Sequence, residues 1–236
     1  GELHFDEPFG DLSPQSYFLN KYSKEKCTVI LTGDGGDELF FGYNEYKRFL
    51  FLLKIKKLIP FKSFFLKYNP YKKIKNLFTS EIEQYIVQKG GMIKMEKEKW
   101  KKKLMIPEDY NDYWFFEIHY KKELDPLRRL EYLDFKTFLP EHALTRVDRS
   151  SMMFGLECRV PFLSNKMIDL AFSIDPKLKF KGNKLKFITR EILKKYSNTE
   201  YAYSSKKGFS INSTLRKKLY ENWYLNENIT TILNYL

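Results

Sequence analysis

The run Val29-Ile30-Leu31-Thr32, followed at once by Gly33-Asp34-Gly35-Gly36-Asp37-Glu38, constrains this chain more than any other stretch. A β-branched apolar segment ends abruptly in three glycines and three carboxylates, and helical spacing resumes directly after them. A buried parallel strand has that composition, and open α/β sheets hold ligands just beyond the carboxyl ends of such strands. Glycine permits backbone geometries and close approaches that a side chain blocks. Asp34, Asp37 and Glu38 fall where a helix begins, among N–H groups that have no intrahelical acceptor. Acids mixed with such donors suit a metal–polyphosphate site, because Mg²⁺ takes one or two carboxylates together with phosphate oxygens. The alternative is a structural corner in which Asp37 is a helix N-cap.

A strand at Thr28–Thr32 cannot stand alone, and parallel strands need parallel neighbours. Leu3-His4-Phe5 offers one short partner. The chain therefore reads as the back half of an α/β domain whose opening strands lie upstream of Gly1, that is, as a fragment.

At 236 residues, with 43% hydrophobic and 17% aromatic residues, the chain can bury a substantial core. No apolar run reaches the length of a membrane span and no signal-peptide pattern opens it, so a cytoplasmic protein is the expectation. Cys27 and Cys158 stand far apart in no metal-like spacing. The net charge of +12 suggests nucleic acid until its distribution is read. The segment from Glu45 to Lys103 holds 17 Lys and Arg against 5 acids, and the rest of the chain is balanced at 25 against 25. Lysines outnumber arginines 34 to 8, and Lys lacks the planar fork that reads phosphates and bases bidentately. The excess reads as a solvated helical face, with a docking surface for an acidic partner or nucleic acid as the alternative.

Ser13-Pro14 opens a helix, with Ser as N-cap and Pro first. Leu39, Tyr43, Tyr46, Leu50 and Leu53 predict a helix after the acidic turn. Residues 54–103, interrupted at Pro60, Pro70 and Gly90-Gly91, read as short helices and loops of a peripheral segment and not as a core layer. Asp125-Pro126 opens a helix whose apolar stripe ends at Pro140. A second helix, about 141–154, stops at Gly155. A third follows Pro161-Phe162-Leu163-Ser164 with Met167, Leu170, Ala171 and Ile174 inside, and a fourth carries Leu185, Ile188, Ile192 and Tyr196. The carboxyl-terminal part is thus a helical layer with few strands. His4, His119 and His142 show no metal spacing, and the acidic turn fails the calcium-loop pattern D-x-D/N-x-D/N-G.

Several ordered segments resemble the synthetase domain of the glutamine-hydrolysing asparagine synthetases. Thr32-Gly33-Asp34-Gly35-Gly36-Asp37-Glu38-Leu39-Phe40, with Gly42-Tyr43, is similar to S-G-E/D-G-x-D-E-L/V-F-G-G-Y. Leu139-Pro140-Glu141 and Leu144 to Met152 resemble L-P-x-x-x-L-x-K-x-D-R-x-S-M. Gly155 to Leu163 is similar to S-L-E-x-R-x-P-F-L-D, Lys206-Lys207-Gly208-Phe209 to K-x-G-F, and Asp6-Glu7-Pro8 with Asp11 to the D-E-P segment before the strand. The matches run from residue 6 to about residue 211. The resemblance implies an ATP-pyrophosphatase (PP-loop) fold, a doubly wound parallel sheet of which this chain holds mostly the helical carboxyl-terminal portion. It implies that ATP activates the side-chain carboxylate of aspartate as an acyl-adenylate, which ammonia released from glutamine attacks to give asparagine, AMP and pyrophosphate. The S-G-G-x-D-S pyrophosphate loop and the amino-terminal glutaminase domain are absent from this sequence, so residues 1–236 are expected to be a partial synthetase domain, inactive alone. A homodimer is compatible with this reading.

The resemblance also carries roles. It places Thr32 and Gly33 against ATP, and Thr keeps the hydroxyl of the family's Ser. Asp34 stands beside the adenylated carboxylate, where it can hold ammonia or take its proton; it is one methylene shorter than the Glu of many members. Asp37 shares Mg²⁺ with the absent loop. Glu38 either backs that ligand or answers the helix dipole. Lys206 meets the phosphates and offsets charge that builds as pyrophosphate departs. The family's R-x-K-x-G-F begins here with Ser204, so one cation is missing, for which Lys207 is the available substitute. Asp148, Arg149, Glu157 and Arg159 read as a buried charged scaffold on neighbouring helical segments, with substrate contact second. Glu141 is a further candidate near the substrate. Phe41 replaces a Gly and should change the packing beneath the turn. Two other readings stay open: the same adenylation on another carboxylate, and a non-catalytic module that binds through the basic 45–103 segment with salt-sensitive affinity.

Overall fold

Pro14 opens α1 (Pro14–Lys24) as a first helical residue, where a missing N–H costs nothing. The structure, a computed structural model, describes residues 14–58, 79–91, 97, 100–101 and 103–204. β1 (Val29–Leu31) leads into α2 (Gly36–Leu39) and α3 (Asn44–Leu58). The single helix predicted from Leu39 to Leu53 is therefore two. The chain breaks at Phe41, which takes φ 56°, and restarts at Asn44. α4 (Glu81–Gln88) is opened by a capping box in which Ser80 and Glu83 satisfy each other's backbone N–H groups. α5 (Trp114–Ile118) follows. Asp125 caps α6 (Pro126–Leu133) as the sequence predicts, accepting from the N–H groups of Leu127 and Arg128.

The expected stop at Pro140 does not occur. The helix continues as a π segment (Asp134–Leu144) that carries Pro140 inside it and then becomes α7 (Thr145–Met152). The wider π turn absorbs a residue that would break an α-helix. Thr137 donates to the Leu133 carbonyl at 2.6 Å and Thr145 to the Pro140 carbonyl at 2.8 Å. Gly155, at φ 60°, then turns the chain as a residue past a helix end. β2 (Glu157–Arg159), a 3₁₀ turn at Pro161–Leu163, α8 (Asn165–Ser173), α9 (Pro176–Lys179), α10 (Phe187–Tyr196) and α11 (Thr199–Tyr203) complete the described chain.

The architecture is mostly helical α/β with a small parallel sheet. β1 pairs with β2 in parallel, Ile30 opposite Cys158. Glu157 N–H to Thr28 carbonyl and Thr32 N–H to Arg159 carbonyl, both 2.9 Å, extend the ladder at its two ends. The partner described for β1 thus lies downstream at 157–159, in a segment read from sequence as helical, whereas Leu3-His4-Phe5 lies outside the described residues. Nor is β1 buried on both faces: Val29 and Leu31 are exposed and Ile30 is half-buried.

Among the described residues, two apolar clusters hold the helices. Phe41, Tyr46, Phe49, Ile82, Tyr85, Ile86, Tyr113, Leu130 and Leu133 form one. Leu39, Phe40 and Ala171, with Phe162, Leu163, Met167, Ile168 and Phe172 against them, form the other. Three corrections follow. Residues 81–88 contribute to the core, although 54–103 reads as a segment without a core layer. Ile168 and Phe172 pack inward where Leu170 was expected, and Leu170 is exposed. On α10, Ile192 and Tyr196 are exposed, and Ile188 alone of that stripe packs against the second cluster.

Candidate functional site

Where β1 ends, the Thr32 N–H is still held by β2, while the Thr32 Oγ1 is buried with no hydrogen-bond partner among the described residues. A buried hydroxyl left unpaired calls for an explanation, and this one lies at a strand's carboxyl end. Gly35 follows at φ 80° and is the residue that starts α2. A Cβ on Gly35 would lie 2.5 Å from Leu163 Cδ2, and one on Gly36 3.3 Å from the Phe162 ring. The Pro161–Leu163 turn therefore packs directly on the glycines. Parallel pairing of β1 with β2 and this contact bring the two motifs, 32–38 and 157–163, together.

Asp34 is half-buried on the turn and makes no hydrogen bond or ion pair with the described residues. Asp37 is not the N-cap; Gly35 holds that place, and the Asp37 carboxylate turns to Lys186, its Oδ1 2.8 Å from Nζ. A Cβ on Gly42 would fall 1.6 Å from that same Oδ1, so the absence of a side chain at 42 is what makes room for the carboxylate. Glu38 stands in the first turn of α2, where an acid faces the positive end of the helix, and it is buried there. It is 1% exposed and accepts a hydrogen bond from the Tyr43 hydroxyl. Burial pushes its carboxyl above the ordinary glutamate range, with the Tyr43 bond acting in the opposite direction. The same burial, with Glu38 beside it, pushes the Tyr43 phenol up as well.

Beneath Glu38 lies a polar cluster that the sequence did not disclose. The Asp134 carboxylate accepts from the Tyr46 and Tyr85 hydroxyls and pairs with Lys89 at 2.8 Å, and Tyr85 also meets Thr137. Lys89 lies over the rings of Tyr43 and Phe138. These partners are separated by tens of residues, beyond any local pattern. Lys186 was likewise missed, one lysine among many after the Gly182-Asn183 turn.

The expected charged scaffold is corrected. Glu157 and Arg159 stand on β2, not on a helix; they pair with each other at 2.7 Å, with side chains 56% and 64% exposed. Alternation along a strand puts both on the same outward face. Asp148 is exposed and Arg149 half-buried on α7, and Glu141 is exposed on the π segment. Buried charge occurs instead where the Glu131 carboxylate on α6 meets Lys179 of α9, both fully buried, and Arg128 at 2.5 Å. Lys206, Lys207, Gly208, Asp6, Glu7 and Asp11 lie outside the described residues.

No group of three or more His, Cys, Asp or Glu among the described residues forms a metal cluster. One carboxylate, Asp37, in a space cleared by Gly42, fits an ion that takes few protein ligands and fills its shell with phosphate and water, as Mg²⁺ does. Asp34, two residues past the Thr32 hydroxyl, has no hydrogen bond or ion pair among the described residues. No described helix is long and apolar enough to cross a membrane.

Known proteins resemble this chain in sequence. The chain is 29% identical over 202 residues to glutamine-hydrolyzing asparagine synthetase 1 of Bacillus subtilis, covering 80% of this chain and 31% of that protein. It is 31% identical over 168 residues to a protein of Methanocaldococcus jannaschii provisionally named glutamine-hydrolyzing asparagine synthetase 2, covering 67% and 32%. A Mycobacterium bovis protein with a similar provisional name is 24% identical over 223 residues, covering 88% and 33%. The chain spans about a third of the length of these curated relatives. No solved structure matches it. The asparagine synthase family model matches residues 3–234, nearly the whole sequence and both motifs that meet at the turn, and the chain belongs to that family.

Proposed function

We propose that this chain is part of the ATP-dependent synthetase region of a glutamine-hydrolysing asparagine synthetase. There an aspartate side-chain carboxylate is adenylated and ammonia displaces AMP. The observation that supports this reading best is the acidic turn itself. An orphaned Thr32 hydroxyl, an uncommitted Asp34 and a recessed Asp37 follow one strand end, clamped by the second family motif. Thr32 and the Gly33 backbone contact the nucleotide. Asp37 would hold Mg²⁺, whose charge offsets that of the phosphates. Asp34 orients ammonia and takes a proton as the amide nitrogen forms. Lys206 would offset charge on the departing pyrophosphate. The ammonia comes from glutamine, as the relatives' names say of them.

The test is Asp34→Asn in the protein at its full natural length. ATP affinity by calorimetry is expected within about twofold of wild type. Asparagine formation should fall about 100-fold or more, the usual scale of a lost general base. Loss of ATP binding with the amide-forming step intact would refute the role. Pyrophosphate release that another carboxylate supports and aspartate does not would replace the substrate.

A further inference from the structure

The pair formed by Lys186 and Asp37 has no place in the roles assigned so far. The two side chains are 29% and 23% exposed, and Nζ lies 2.8 Å from Oδ1. Lys186 reaches Asp37 from a backbone position that is itself unusual. It takes φ 52°, and its N–H donates to the carbonyl of Phe41, at φ 56°. Left-handed geometry costs an L-residue roughly 1–2 kcal/mol, so two such residues joined by one hydrogen bond persist only where surrounding contacts enforce them. Those contacts are present. The Lys186 carbonyl accepts from the Thr189 hydroxyl and the Arg190 N–H, each at 2.9 Å, and the Arg190 guanidinium holds the Leu185 carbonyl at 3.0 Å. Gly42 completes the arrangement, since a Cβ there would meet both Asp37 Oδ1 at 1.6 Å and Lys186 Cε at 2.5 Å. The acidic turn, the α2–α3 break and the start of α10 are thus locked together around one ion pair.

We infer that Lys186 is the resident counter-ion of Asp37, a cation that occupies the carboxylate until a divalent metal displaces it. This rests on the reading of Asp37 as the metal carboxylate. An ammonium 2.8 Å from Oδ1 stands on the approach that a metal would take to that oxygen and repels a dication coming toward it. A lysine suits the task because its charge is a point on a flexible stem; its Nζ can swing away while the backbone anchor stays in place. The pair keeps the Asp37 carboxylate compensated and its side chain in one place when no metal is bound, and makes metal capture an exchange of cations.

The experiment uses Mn²⁺ alone as the probe, its free concentration read by electron paramagnetic resonance, so no turnover is needed. Wild type, Lys186→Met, Lys186→Arg, Asp37→Asn and the Asp37→Asn/Lys186→Met double variant are compared at low ionic strength, with circular dichroism confirming that each is folded. Removing a partly exposed counter-ion should tighten Mn²⁺ binding about three- to tenfold in Lys186→Met, the scale of such a pair plus the lost repulsion. Lys186→Arg should stay near wild type, and both variants lacking the carboxylate should lose the site. Equal or weaker binding in Lys186→Met, with Asp37→Asn still abolishing it, overturns the counter-ion role and leaves Asp37 as ligand. If Lys186→Arg tightens binding as much as Lys186→Met, shape and not charge is at work and the inference fails. Mn²⁺ binding unaffected by Asp37→Asn in every background removes the metal reading of Asp37, and this inference with it. Should Lys186→Met fail to fold, Lys186→Gln decides the same comparison.

Discussion

At Phe41 the ring is fully buried against Tyr46 while the backbone sits in the left-handed region. The family pattern has Gly at this position, and φ 56° explains why Gly suits it. Phe41→Ala loses the ring and keeps a Cβ where φ is positive, so it should cost about 3–5 kcal/mol. Phe41→Gly loses the same ring but relieves the backbone, and should be more stable than Phe41→Ala by about 1 kcal/mol in urea unfolding. The reverse order would show that the backbone there is unstrained. Gly42 makes a contrasting case, because its own φ lies outside the left-handed region and the atoms nearest a side chain there belong to Asp37 and Lys186. Gly42→Ala should therefore destabilise the wild-type background and cost much less with Asp37→Ala, a coupling that a double-mutant cycle measures directly. Much of this scale was legible in the sequence: Asp125 as cap, Gly155 past a helix end, and Phe41 as a departure. What the side-chain pattern could not show was which of several lysines would reach Asp37, because that depends on where α10 starts in space.

The elements were legible wherever a local rule decides them, as with Pro14, the Asp125-Pro126 start and the stop at Gly155. They were illegible where that rule is overridden or where no local rule applies. Pro140 should end a helix, yet the wider π register carries it and the chain runs on, with the Thr137 and Thr145 hydroxyls bonded to carbonyls of the same helix. β2 was hidden because its three residues are Glu, Cys and Arg, with no apolar alternation to announce a strand. The contact of α6 with α9 was hidden too, since the buried pair that marks it, Glu131 and Lys179, lies 48 residues apart in the chain. That pair predicts an asymmetry. Lys179→Met leaves Glu131 still neutralised by Arg128, whereas Glu131→Gln leaves a buried ammonium beside a guanidinium. Glu131→Gln should cost about 3–5 kcal/mol, the usual penalty for an uncompensated buried charge. Lys179→Met should cost clearly less, and adding it to Glu131→Gln should recover stability. Equal single costs in urea titrations would mean that Arg128 contributes nothing to holding Glu131.

Over the whole molecule, adjacent residues of one turn enter different cores, Phe40 the second cluster and Phe41 the first, which seats the acidic turn between them. The family was legible because its motifs are ordered along the chain. The polar network under the turn was not, because tyrosines at 43, 46 and 85 look like ordinary aromatic core until Glu38 and Asp134 are placed beside them. Buried ionisable groups also shape the stability of the whole fold with pH. Burial, first among the causes, pushes the Glu131 carboxyl above its ordinary range against the pull of Lys179 and Arg128, and the same burial pulls the Lys179 ammonium below its own. From the ordinary glutamate range up to the raised value, the folded state binds more protons than the unfolded one, so stability falls as pH rises. From the lowered Lys179 value up to the ordinary lysine range, the unfolded state binds more protons, so stability rises with pH. The contribution of the pair is therefore lowest between the two windows. Unfolding free energies of wild type minus those of the Glu131→Gln/Lys179→Met double variant, taken from about pH 4 to about pH 10, should trace a trough. A dome in that difference would mean that attraction within the pair outweighs the cost of burying it, and that α6 and α9 are joined by the ion pair itself and not by the packing around it.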